Sequence, residues 1–356
     1  MLYLSLAVLC SVSIGMIFKV AGQRQLDRTA LLTINYAAAV GVAGVLIAIG
    51  GRGASDGLTL SGPLLLLGIG TGALLIFGFF MLMVATDVAG MGLSIGVMRV
   101  SVVLPFLASW LIWAEEPSVM QLIGMGCAAV AFFLIAQTPD GSADAIDEPI
   151  RNSEPVHEGV PATAGAYVTT AASEGEGAPE ESDVFVEEER GLDVPEPNAK
   201  VLGTLFILFL SGGAVDITMK TFQEGFGADN SRFMFLLLAF GISFLIGLVY
   251  VVQKGIRTGV WPDRQTWVWG IGLGIINYGS LEFLLRALEQ LPGTVVFPIN
   301  NISIVVLAAL LGVAFWRERL TKTNIWGLAL AVVGLVLLSN AELLTRVQSL
   351  FGIGPA

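Results

Sequence analysis

The chain has 356 residues, 55% of them apolar and 13% charged, and a formal net charge of −11. Its charges are separated by hydrophobic runs of about 18–23 residues, the length a helix needs to cross a bilayer, which excludes a water-soluble globular domain. With two cysteines and one histidine, a disulfide framework or a cysteine-built metal site is excluded as well.

In chain order, helices are expected at about 2–21, 30–50, 62–85, 91–113 and 118–137, then at about 201–220, 232–252, 266–288, 294–316 and 323–339. The first run has no basic stretch ahead of it and no small-residue cleavage site behind it, so it is read as a retained membrane helix and not a signal peptide. Between the two groups of five, residues 138–200 are rich in Ala, Gly, Pro, Ser, Asp and Glu. Such a composition cannot bury a core, and a disordered linker is expected there. Ahead of Lys200 it holds 16 Asp/Glu against Arg151 and Arg190. Its net −14 leaves about +3 for the rest of the chain, so the acidity belongs to the linker. His157 lies in this linker without a companion ligand. The expected units are 1–137, 138–200 and 201–340, with a short tail at 341–356.

The two groups of five repeat each other. At an offset of 203, Trp113, Glu115, Ser118, Gln121 and Gly124 fall on Trp316, Glu318, Thr321, Asn324 and Gly327. At 202, GIGTG at 68–72 falls on GIGLG at 270–274, and at 201 Lys19 falls on Lys220. A drift of two residues is what small loop changes produce. With an odd number of spans in each half, the second half crosses the membrane in the opposite sense to the first. Inverted halves provide two interconvertible arrangements, the geometry behind alternating access. The expected fold is therefore an all-α integral membrane protein of ten transmembrane helices in two inverted five-helix repeats.

The motifs WAEEPSVMQLIGMGCAAVAFFLIA at 113–136 and FWRERLTKTNIWGLALAVVGLVLLS at 315–339 each join a Trp, a Glu-bearing connector and a Gly-bearing final helix. This pattern resembles the EamA-type members of the drug/metabolite transporter superfamily. The resemblance implies a ten-helix basket around a central cavity that moves small metabolites without ATP hydrolysis, and it leaves the substrate open. The linker of some sixty residues departs from the short connection usual in that family.

Arg24, Arg28, Lys254, Arg257, Arg264, Arg317, Arg319 and Lys322 fall on the linker side, against Arg52, Lys220, Arg232 and Arg346 opposite. This bias puts the linker in the cytoplasm and both termini outside a plasma (inner) membrane.

Polar residues deep in spans are the candidates for function. A guanidinium at Arg99, mid-span, costs about 2.5–3.5 kcal/mol even on the lenient insertion scale, so it needs a carboxylate or a wet cavity. Its bland reading is a permanent pair with Glu282 or Asp216; its functional reading is a fork that grips a substrate carboxylate or phosphate. Pro298, Asn300 and Asn301 disrupt one helix within four positions, and a cavity lining is favoured there over a tolerated kink. Asn277 and Tyr278 join them as substrate-binding candidates.

Glu282 and Asp216 are candidate coupling carboxylates, while Arg286, four residues from Glu282, reads as its structural partner. Glycines 212 and 213 would let the helix of Asp216 unwind. Lys19 and Lys220 end matching helices on opposite sides, as snorkelling residues or as gates. The glycine strings at 68–72 and 270–274 read as close helix packing, since neither has the Lys-Ser/Thr sequel of a phosphate loop.

The partners implied are a small-molecule substrate, the lipid bilayer and a proton gradient or an exchanged solute; no catalytic residue, cofactor, metal or nucleic acid is implied. A membrane scaffold whose acidic linker recruits a soluble partner is the alternative, and a membrane-embedded enzyme comes last.

Overall fold

A computed structural model describes residues 1–49, 61–89, 91–136, 199–228, 230–316 and 321–350. Every regular element among them is a helix: α1 (Leu2–Gln23), α2 (Arg28–Ile49), α3 (Gly62–Ala89), α4 (Met91–Val100), α5 (Val103–Leu111), α6 (Val119–Ala136), α7 (Ala199–Gly225), α8 (Arg232–Thr258), α9 (Arg264–Leu288), α10 (Gly293–Trp316) and α11 (Lys322–Leu350). In lipid, a helix satisfies its own backbone hydrogen bonds, and these apolar runs have no other stable form. Eight spans, with Ser94–Leu111 counted as one through its break, are long and apolar enough to cross a membrane. Val119–Phe132 and Lys322–Leu338 are shorter apolar helices where the fifth and tenth spans were expected. This is an integral membrane protein. The linker was expected over 138–200: Ala199 and Lys200 already belong to α7, while residues 138–198, like Glu318 in the connector before α11, lie outside the described residues.

Two expectations about helix continuity change. The helix expected unbroken over 91–113 is interrupted, whereas α10 is continuous through Pro298, in line with the helix expected over 294–316. Pro105 has no N–H to give the Ser101 carbonyl, which instead accepts from Leu104 N at 2.9 Å, and the chain turns at Ser101–Val102 between α4 and α5. Ser101 Oγ donates to the Met98 carbonyl at 2.6 Å and secures the turn. The second change is α11, which runs on to Leu350 through part of the expected tail.

The polar ends of the helices are capped by local chemistry. Asp27 Oδ1 accepts from the N–H groups of Thr29 and Ala30 at the start of α2, while its Oδ2 lies 2.6 Å from Lys254 Nζ at the end of α8. Asp263 caps α9 through Thr266, whose hydroxyl and N–H hold its carboxyl below the usual carboxylate range.

One continuous apolar core includes Leu4, Tyr36 and Phe106 from the first half and Phe222, Phe240 and Val296 from the second. Large apolar side chains such as Leu66, Leu111, Phe206, Val249 and Trp326 point outward, as a lipid-facing surface requires. Helices pack across the halves in matched pairs: α1 on α9 and α7 on α3, α2 on α9 and α8 on α3, α1 on α10 and α7 on α4 and α5. The pairs α2–α8, α5–α10 and α6–α11 match themselves.

The glycine strings sit at two of these contacts. A methyl on Gly72 would strike the Ala239 carbonyl, and one on Gly274 would strike the Asn35 carbonyl and come within 2.6 Å of Ala38 Cβ. Ser243 Oγ ties the first contact with 2.8 Å to the Gly72 carbonyl. Because the obstacle is backbone, Gly274→Ala is expected to lower stability by about 1–3 kcal/mol, read as a lower melting temperature in detergent.

Candidate functional site

The break between α4 and α5 positions the site. It leaves Arg99 in the last turn of α4, where a cation suits the helix C-terminus. Beside it, α7 has glycine at 212 and 213: a Cβ on Gly212 would lie 2.7 Å from Ser101 Oγ, and one on Gly213 would lie 2.6 Å from Leu104 Cβ. These glycines admit the broken segment while α7 itself stays wound through them.

A cavity of about 180 Å³ opens at this place. Arg99, Asp216, Asn300, Asn301, Ser11 and Ser280 bring polar groups to it from α4, α7, α10, α1 and α9. Arg99 Nη1 donates to Asn301 Oδ1 at 3.4 Å. Asn301 is oriented by its own helix, since its Nδ2 donates to the Phe297 carbonyl at 3.1 Å and leaves Oδ1 for Arg99. The buried Oδ1 of Asn300 has no partner among the described residues. Ser11 and Ser280, also in the cavity lining, share a hydrogen bond of 2.8 Å.

Arg99 and Asp216 are half-buried because they line a hollow, and they are the only cationic and anionic side chains among the lining residues. The Asp216 carboxylate makes no hydrogen bond or ion pair of 4 Å or less among the described residues. A guanidinium has five N–H donors. Arg99 uses one, in a long contact, so its fork is free to bind a carboxylate or phosphate with two parallel bonds. At about 180 Å³ the cavity falls below the roughly 300–1,000 Å³ of drug-sized sites, and suits a small solute.

The other expected site residues lie elsewhere. Glu282 is buried between two cations, 3.0 Å from Arg232 Nε and 2.8 Å from Arg286 Nε, and Arg232 also pairs with Glu289. Held by two guanidinium groups, Glu282 reads as a fastener and not as Arg99's partner. Asn277 Nδ2 donates to Asn35 Oδ1 at 3.2 Å, and Tyr278 packs its ring 6.1 Å from that of Phe240. Pro298 is buried inside α10. Lys19 is half-buried near the end of α1. Lys220 is 1% exposed, with Nζ 2.5 Å from Glu115 and 2.6 Å from Glu224. Ser11, Ser101, Ser211 and Ser280, which line the cavity, went unmarked in the sequence, because serine is common wherever membrane helices pack.

Residues 200–340 match the model of the EamA-like transporter family. An uncharacterized protein of Haemophilus influenzae is 23% identical over 329 residues, spanning 90% of this chain and 92% of its own. A probable 4-amino-4-deoxy-L-arabinose-phosphoundecaprenol flippase subunit ArnE of Hamiltonella defensa is 33% identical over 110 residues, 30% of this chain and 96% of that protein. A protein of known crystal structure shares the fold at 13% identity with a TM-score of 0.61, over 94% of this chain and 98% of that one. The matched family is one of transporters, and the Hamiltonella relative is named as a flippase subunit. The matched second half, and a small flippase relative covered almost end to end, place this chain in the EamA-like transporter family of the drug/metabolite transporter superfamily.

Proposed function

We propose that the chain is a secondary transporter of a small polar metabolite, anionic or zwitterionic, working by alternating access in the inner membrane. The observation that carries this reading is the cavity, where the Arg99 fork, the Asp216 carboxylate and the Asn300 and Asn301 amides converge from both halves of the chain. Unlike polar groups in matching halves suit an asymmetric ligand. The phosphate named in the flippase relative's cargo is an anion such a fork fits.

Ten spans in two inverted five-helix repeats are part of the same reading, with α6 and α11 as the fifth and tenth. The matched helix pairs support it, and so does the way Gly72 meets Ala239 while Gly274 meets Ala38, an offset of 201–202 on both sides of the contact. Asp216 is the coupling carboxylate, since Glu282 is held by two arginines. The linker is placed in the cytoplasm and the termini outside.

The test is a thermal-shift screen of purified protein against amino acids, organic acids, sugar phosphates and nucleosides, followed by uptake into proteoliposomes. A ligand of the folded state raises the melting temperature with its concentration. The reading fails if no solute in these classes shifts the melting temperature or accumulates under any proton or exchange gradient.

A further inference from the structure

We infer that Glu115, in the loop after α5, is the latch that holds one end of the cavity shut. The inference rests on the transport reading above and assigns the closing of that end to one carboxylate. Three helices converge just beyond the cavity: Lys220 stands one turn past Asp216 on α7, Ser109 two turns past Ser101 on α5, and Thr294 six residues before Asn300 at the start of α10. They come so close that a Cβ on Gly293 would strike Ser109 Oγ and lie 3.3 Å from Lys220 Cε.

Glu115 joins them. One carboxylate oxygen lies 2.5 Å from the buried Lys220 Nζ, and the other accepts from Thr294 N at 3.1 Å at the N-terminus of α10. A carboxylate is favoured at such an N-terminus by the helix dipole as well as by the hydrogen bond. This single side chain of the first half therefore grips two helices of the second. The loop that presents it is held in place: Ala114 adopts φ 53°, a left-handed conformation that is costly for a residue with a Cβ, and Glu115 N donates back to the Ser109 carbonyl at 3.1 Å.

The charged groups around Lys220 are Glu115 and Glu224, the latter 42% exposed and able to be solvated when the end opens. A second ionic cluster at the same end, Arg232 and Arg286 with Glu282 and Glu289, joins α8 to α9 and touches the first half through the Arg286 guanidinium, 5.4 Å from the Tyr3 ring centroid, and through no carboxylate among the described residues. Glu115 is the described carboxylate that ties the halves together there. On the proposed orientation this is the outer end.

The test uses the full chain with Cys10 and Cys127 replaced by Ala and Met98→Cys as a reporter thiol in the cavity wall. Labelling by a membrane-impermeant maleimide is followed from each face in right-side-out and inside-out vesicles. Glu115→Gln is expected to raise the labelling rate from one face about tenfold, the equivalent of about 1.4 kcal/mol in the opening equilibrium. A single substitution leaves the Lys220 charge less compensated and lowers stability, so the Glu115→Gln/Lys220→Met double variant is measured beside it. The double variant is expected to recover the parent's melting temperature while keeping the faster one-sided labelling. Labelling at the parent's rate from both faces, or an equal rise from both, overturns the latch. No solute enters this assay: a one-sided rise in a chain that carries nothing sinks the transport reading and leaves the latch standing.

Discussion

Arg99→Ala is expected to reduce solute flux in proteoliposomes by roughly 100-fold, the loss of a charge-assisted hydrogen-bonded pair. Arg99 stands in the cavity wall with one long bond to Asn301 and the rest of its fork unspent. If its role is to grip an anionic group, Arg99→Lys keeps the charge but loses the parallel bonds, and is expected to recover only part of the flux. If Arg99 instead only balances Asp216, Arg99→Lys restores flux fully, and Arg99→Ala acts through stability. The two roles separate in the Arg99→Ala/Asp216→Asn variant, whose melting temperature recovers when both charges go. Flux of that stable double variant at the parent's rate removes Arg99 from the substrate site.

The sequence showed the part of the site that costs most to bury. A guanidinium in mid-span and two asparagines behind a proline are conspicuous among leucines, and Arg99, Asn300 and Asn301 do meet at one cavity together with Asp216. Depth was harder to read. Glu282 looked central by counting residues along α9, yet it faces Arg232 at the start of α8, which only the packing of α9 against α8 reveals. The break inside the helix expected over 91–113 was not legible, because a proline within an apolar run reads alike in both halves. Pro298 lies in a helix that tolerates it, whereas Pro105 leaves the Ser101 carbonyl to a hydroxyl-stabilised turn. Glu115 was legible only as one of a repeated pair with Glu318; that its carboxylate reaches both Lys220 and Thr294 is a fact of tertiary structure.

Asp216→Asn is expected to uncouple the transporter, abolishing concentrative uptake while sparing counterflow. An amide resembles a carboxyl that never releases its proton, so the cavity can still bind and turn over solute but cannot exchange a proton with either side. A gradient of one pH unit is worth about 1.36 kcal/mol per proton, enough for about tenfold accumulation. The parent is expected to reach that order, and Asp216→Asn to stop at equilibration. The competing effect is structural, because Asn leaves Arg99 without the one carboxylate in its cavity; the two are half-buried and not in contact, so the cost lies below the roughly 3–5 kcal/mol of breaking a buried pair. A cavity wide enough for several waters reduces that cost, since water can solvate the guanidinium in place of the lost partner. The measurement is therefore paired: melting temperature reports the structural loss, and the ratio of gradient-driven uptake to counterflow reports coupling. If counterflow and driven uptake fall together in step with melting temperature, Asp216 is a counter-ion to Arg99, and coupling has to be sought at another group.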